Sequence, residues 1–322
     1  MRRSALISMI LCLVLTSCGN KGGKTVSEGP ATRSFPSVSA PGMLTEQSEI
    51  LDYVTMHFWD GFAPEGKQWL DDSTHIAGID RIKLEEQIGS YTTLLSMVPL
   101  GKAISCIEGF YSQAVKLEME NSASSGFEET VKLMAKYLYN ENSPVRNEDI
   151  YGALAQKLAA SKYIDESLRP SYEFEARVCA LNKVGTKATN IKLTDRKGQE
   201  HDLYGIKAPW TLLFFTNPGC PACAEIITGL NASQKIRNMV DGGMLKIVNA
   251  YIDDDLAAWK EHVDDYPASW LTGFDKDLVI REEMTYNVRA IPSLYMLDKD
   301  KTVLLKDAPA GKILEFIENI AE

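Results

Sequence analysis

The chain has 322 residues, enough for about two domains, and is 45% apolar and 24% charged, the proportions of a globular protein. Its net charge of −10 opposes broad attraction to nucleic acid, which needs clustered Lys and Arg. Six cysteines over this length are too few for a disulfide scaffold, and the one Cys-x-x-Cys, Cys220–Cys223, narrows the chemistry to redox or metal.

Arg2 and Arg3 precede an apolar run from Ala5 to Leu15. That run falls short of the ~18–20 residues a spanning helix needs. It ends in Leu15-Thr16-Ser17-Cys18, which resembles a bacterial lipobox. The resemblance implies that residues 1–17 are a lipoprotein signal peptide and that Cys18 is lipidated, giving a membrane anchor. A plain signal peptide cut nearby is the alternative. Residues 18–42 read as a polar, Gly-rich flexible tether. A lipoprotein lies in the cell envelope, where the state of a thiol pair depends on dedicated partners. Residues 19–24 carry no acidic cluster of the kind found on many surface-exported lipoproteins, so a periplasm-facing location is expected.

Residues 43–182 show helical periodicity and read as an all-α domain of unknown function. The expected helices are Leu44–Trp59, Ile79–Val98, Ala103–Met119, Glu128–Tyr139, Asn147–Ala160 and Glu166–Leu181. Asn147 is a candidate N-cap, and the last helix is expected to break near Pro170. A loop with Pro64 and Gly66 separates the first two. Cys106 and Cys179 sit on apolar helical faces and read as buried thiols. Whether they pair stays open, because sequence cannot place them within the ~4.4–6.8 Å Cα separation a disulfide needs. Tyr53, Phe58, Trp59, Phe110, Tyr111 and Tyr137 could line a partner groove, but their helical spacing favours core.

Residues 183–322 alternate strand and helix. Ile191–Thr194 and a segment ending at Leu203 read as short strands, and Thr211–Phe215 as a buried central strand. A helical pattern runs from the Cys-x-x-Cys to about Met239. Then come a strand Lys246–Ile252, helices Leu256–His262 and Asp277–Tyr286, a hairpin of Ser293–Leu297 with Thr302–Leu305, and a helix Lys312–Ile320. The expectation is an α/β fold with one antiparallel edge.

Thiol–disulfide exchange needs two thiols one helical turn apart, one of them exposed and acidic. Asn217-Pro218-Gly219 is turn chemistry, and Pro221 favours the first helical position. Cys220 therefore falls at a helix N-terminus, where unpaired N–H groups stabilise its thiolate. Cys223 lies one turn further in and can resolve a mixed disulfide. Zinc would need four ligands, but no second Cys-x-x-Cys exists, and His57, His75, His201 and His262 are scattered. No metal is expected. A purely structural disulfide would close too short a loop to stabilise much. Asp253-Asp254-Asp255 lacks the Gly and terminal Glu of a calcium loop, and the peroxiredoxin motif P-x-x-x-T-x-x-C is absent.

With Leu212–Phe215, Cys220–Cys223 and Ile291-Pro292 before a strand, residues 183–322 resemble a thioredoxin-fold domain of the TlpA/ResA-like thiol–disulfide oxidoreductases. The resemblance implies a cis Pro292 facing the dithiol and a backbone at Ile291 that pairs with a substrate strand. Beyond that domain, His57-Phe58-Trp59-Asp60, Tyr137-Leu138-Tyr139 and Asn142-Ser143-Pro144 are similar to Bacteroidetes lipoproteins that carry a helical domain of unknown function before the thioredoxin domain. Two features depart from thioredoxin. Gly219 stands where thioredoxin has Trp, and the strand before the motif lacks its buried Asp. Glu225, nearest in sequence, points to another helix face. The expected function is disulfide exchange on envelope proteins, as reductase or isomerase rather than primary oxidant, since Pro-Ala lacks the His of DsbA. Cys220 and Cys223 would be catalytic, with Pro221, Ile291 and Pro292 contacting substrate. No cofactor is expected, but a membrane electron donor is. The alternative is a binding or scaffold lipoprotein whose helical domain recruits a partner.

Overall fold

The computed structural model describes residues 30–320 apart from 64 and 66–68. The signal peptide 1–17, Cys18, the first part of the tether, and Pro64 and Gly66 lie outside the described residues. No helix among the described residues is long and apolar enough to cross a membrane.

Among the described residues, the N-terminal half packs six α-helices around one core: α1 (Gln47–Met56), α2 (Arg81–Leu95), α3 (Leu100–Glu120), α4 (Gly126–Leu138), α5 (Glu148–Ala159) and α6 (Arg169–Cys179). Trp59 anchors that core, with ring centroids 4.9 Å from both Phe62 and Phe110 and 5.4 Å from Tyr91. Trp59 and Phe110 are thus packing residues, and Phe58, Tyr111 and Tyr137 lean against the same core. The domain also holds a small hairpin the periodicity did not show. It comprises β1 (His75–Ile76) and β2 (Ile79–Asp80), paired antiparallel across the two-residue turn Ala77-Gly78. Two residue pairs are too few to register as alternation. Asp80 closes the hairpin and caps α2, accepting from Ile82 N and Lys83 N. The expected Glu166–Leu181 helix divides near Pro170: Glu166–Leu168 is a separate 3-10 turn, and Pro170 sits in the first turn of α6, where its missing N–H costs nothing.

The C-terminal half is a seven-stranded sheet: β3 (Lys192–Asp195), β4 (Glu200–Asp202), β5 (Trp210–Phe215), β6 (Leu245–Tyr251), β7 (Leu271–Phe274), β8 (Ser293–Leu297) and β9 (Val303–Leu305). Its order is β4-β3-β7-β6-β5-β8-β9. β5, β6 and β7 run parallel, while β3 pairs antiparallel with β7 and β8 with β5. The sheet therefore has antiparallel strands on both flanks rather than at one edge. The difference is β7, which is not among the expected strands and lets β3 join the far side. α7 (Pro221–Ala232) and α8 (Gln234–Asp241) form the crossover from β5 to β6, broken at Ser233. α9 (Leu256–His262), α10 (Val279–Glu282) and α11 (Ala310–Asn319) complete the domain. Alternate residues of β5 feed separate clusters: Leu213 and Phe215 on one face, Leu212 and Phe214 with Cys223 on the other. Burial on both faces explains the unbroken apolar run.

Candidate active site

β5 ends at Phe215, and the chain turns through Thr216–Gly219 into α7. Gly219 takes φ +69, a left-handed backbone that a side chain would strain. Cys220 is the N-cap of α7, and its Sγ accepts from Cys223 N at 3.2 Å. Pro221 opens the helix. Cys220 and Cys223 are joined as a disulfide with Cα atoms 5.3 Å apart, within the usual span. Cys220 is half-buried, whereas Cys223 is 2% exposed. In the dithiol state, the N–H groups of the first turn point at Cys220 and stabilise a thiolate there.

The second part of the site comes from β8. The Ile291–Pro292 peptide is cis. Ser293, which follows it, pairs with Phe215 in the sheet. Pro292 and the turn into α7 therefore share one end of the β5–β8 ladder. Ile291 and Cys220 both lean on the cluster that buries Cys223, Phe214 and Leu294. Pro221, Cys220, Cys223, Ile291 and Pro292 are thus brought to one end of the fold. Glu225 is exposed on α7.

Two features escaped the sequence reading. Beside the turn lies a neutral polar trio. Asn249 Nδ2 donates to Thr216 Oγ1 at 2.8 Å, and Thr216 Oγ1 lies 3.1 Å from Tyr266 OH. Thr216 and Asn249 are fully buried, and burial pushes the Tyr266 phenol up. Strand alternation puts Thr216 on the face of Leu212 and Phe214, the face that carries Cys223. Single polar residues within apolar runs were the available signal.

The other feature is a charged cluster at the junction of the two halves. Glu148, on the first turn of α5, lies 3.0 Å from Arg289 Nε and 3.0 Å from Lys306 Nζ, and accepts from Asn287 Nδ2 at 2.7 Å. Burial pushes its carboxyl up, while Lys306 and Arg289 pull it down. Asp307 accepts from Arg146 at 3.2 Å and from Ser293 Oγ at 2.8 Å, with Arg289 at 3.4 Å. Among the described residues, no group of three or more His, Cys, Asp or Glu could hold a metal ion.

Comparison with known proteins agrees with this architecture. Residues 16–179 match the model of a domain of unknown function, DUF5106, and residues 184–306 match the AhpC/TSA family. The crystal structure of a thioredoxin-like protein from Bacteroides caccae is 31% identical, covering 88% of this chain and 97% of that one, with a TM-score of 0.75. The C-terminal domain of an uncharacterized protein from Bacteroides fragilis is 46% identical over 43% of this chain and 99% of its own, with a TM-score of 0.42. No curated protein matches the chain. The chain belongs to the DUF5106 family, and behind that helical domain it carries a thioredoxin-like domain whose residues 184–306 match the AhpC/TSA family.

Proposed function

We propose that this protein exchanges disulfides with envelope proteins through the Cys220–Cys223 dithiol, acting as reductase or isomerase from a lipid anchor at Cys18. The observation that carries the reading is the asymmetry of the pair: a half-exposed Cys220 at the N-terminus of α7 and a buried Cys223 one turn in. The Cys220 thiolate attacks one sulfur of a substrate disulfide, forming a mixed disulfide and releasing the other sulfur as thiolate. Cys223 then loses its proton and attacks Cys220 Sγ. That step releases the second substrate thiol and closes the Cys220–Cys223 disulfide. Two electrons pass from the dithiol to the substrate, so a membrane electron donor must restore it. Ile291 and Pro292 shape the substrate contact, with the Ile291 backbone pairing to an extended peptide.

Insulin reduction by dithiothreitol tests the chemistry. Cys220→Ser is expected to lower the catalysed rate at least about a hundredfold. Rates equal to the wild type would sink the enzyme reading and favour a scaffold. In cells, Cys223→Ala is expected to accumulate mixed disulfides in the membrane fraction, and adding Cys18→Ser to move them to the soluble fraction. No covalent adduct, or adducts confined to the cytosol, would count against envelope exchange.

A further inference from the structure

The substrate-facing segment Arg289–Ser293 is held at both ends by groups that lead into the helical domain. At its start, Arg289 has four such contacts. Its Nε lies 3.0 Å from Glu148 Oε1, one terminal nitrogen donates to the Tyr139 carbonyl, and another lies 3.4 Å from Asp307 Oδ2. Its guanidinium also stacks 4.0 Å above the Tyr139 ring, which itself stacks on Tyr151 at 4.3 Å. At its end, Ser293 Oγ donates to Asp307 Oδ1 at 2.8 Å, and Asp307 Oδ2 accepts from Arg146 of the helical domain. The Glu148 side chain is 1% exposed, and Asp307 sits at φ +40, a backbone costly for a residue with a Cβ. Buried ion pairs of this kind add little net stability, because desolvation offsets attraction, but they fix geometry.

We infer that the helical domain positions the substrate loop: Glu148 and Arg146 hold Arg289 and Asp307, and these fix Arg289–Ser293 for a polypeptide substrate. The inference rests on the reading of Ile291 and Pro292 as substrate contacts. Glu148 and Arg146 are positioning residues. They touch neither sulfur, and they act by keeping the backbone at Ile291 in the one arrangement that pairs with an extended chain. A loop freed from these partners must be ordered each time a polypeptide binds, which weakens binding without altering the thiolate at Cys220. A small disulfide, which has no strand to pair, does not use the loop.

The test compares two substrates on the full-length protein: insulin, and glutathione disulfide. Glu148→Gln should fold, because Lys306 keeps the carbonyls of Cys179 and Leu181 at 2.8 and 2.6 Å as acceptors. It is expected to raise KM for insulin about fivefold or more, with kcat and the rate with glutathione disulfide changed less than about twofold. Arg289→Lys keeps the charge facing Glu148 but loses the reach to Asp307 and Tyr139, and should show a smaller rise of the same kind. If Glu148→Gln does not fold, Arg289→Lys decides the matter alone. An unchanged insulin KM in a folded variant overturns the inference. So does a loss shared equally by both substrates, which marks a purely structural role. Wild-type insulin reduction that does not depend on Cys220 would instead overturn the functional reading beneath it.

Discussion

Four cysteines lie among the described residues, and their surroundings divide them into two kinds. Cys220 caps a helix and is half-buried; Cys106 and Cys179 are free thiols inside the helical core. Burial pushes the Cys179 thiol up to about 12, and the nearby Glu148 carboxylate pushes the same way against Lys306 and Arg289. Burial raises Cys106 too. At pH 8 the thiolate fraction of Cys179 is then on the order of 10⁻⁴, too small for ready alkylation. A maleimide should leave Cys106 and Cys179 unlabelled in the native oxidised protein and label both after unfolding in guanidinium, as read by peptide mapping. Native labelling of Cys179 at the rate of a free thiol would contradict the burial argument. The same shift has a pH signature. An unfolded cysteine titrates near about 8.5, below the folded value, so the native state holds this proton longer. The contribution is complete below that pH and is lost as pH rises toward the folded value. Denaturation midpoints should therefore fall between pH 8 and 10, and Cys179→Ala should flatten that fall.

Between elements, α5 and α6 approach closely at Gly152. A Cβ added at Gly152 would lie 2.8 Å from Cys179 Cβ, a rigid atom that cannot swing aside. Alanine gains up to about 1 kcal/mol in helix propensity over glycine. Overpacking a filled interface costs about 1–3 kcal/mol. The clash should win, so Gly152→Ala is expected to lower stability by about 1 kcal/mol, measured by urea unfolding; a more stable variant would show that the helices can part. Elements of this kind were legible where their signal is local. Asn147 caps α5 as its side chain predicts, accepting from Asp149 N and Ile150 N. The run Leu212–Phe215 reads as a central strand because both of its faces are buried. The Cys-x-x-Cys reads as a helix N-terminus because turn, proline and dithiol are adjacent in sequence. β7 was not legible: Leu271–Phe274 includes Gly273 and pairs only because β6 and β3 flank it. The helix expected over Asp277–Tyr286 shrinks to Val279–Glu282, because Leu278 and Met284 take left-handed backbone at its two ends. The charged junction was illegible for another reason. Its members come from 146–149, 287–289 and 306–307, and in isolation each resembles an ordinary surface charge.

At the scale of the molecule, the two halves keep separate apolar cores, one among the helices and two on the faces of the sheet with a small satellite around Trp259, and polar groups also join them. Lys306 is the centre of that joint, with its side chain 3% exposed. Its ammonium pairs with Glu148 at the start of α5 and donates to the carbonyls of Cys179 and Leu181 where α6 ends. An acid at a helix N-terminus and a cation at a helix C-terminus each match the local dipole, so one lysine of the sheet domain satisfies two helix ends. Asp149 supports the arrangement by accepting from Val184 N at 3.1 Å, at the entry to the sheet domain. Removing one member of a buried pair leaves the other charged and costs about 3–5 kcal/mol. Lys306→Met should fall at the lower end of that range, because it leaves the Glu148 charge half-stranded, with Arg289 its remaining cation, and uncaps α6 together. Glu148→Gln should cost less, since Lys306 keeps its two carbonyls. With both changes made, the stranded charge is gone, and the loss should be smaller than the sum of the singles by more than about 1 kcal/mol. A double-mutant cycle on urea unfolding measures this difference. Additive losses would mean that Lys306 and Glu148 act independently. A coupling of that size would make the junction one energetic unit, the condition under which the helical domain can hold the loop of its neighbour in place.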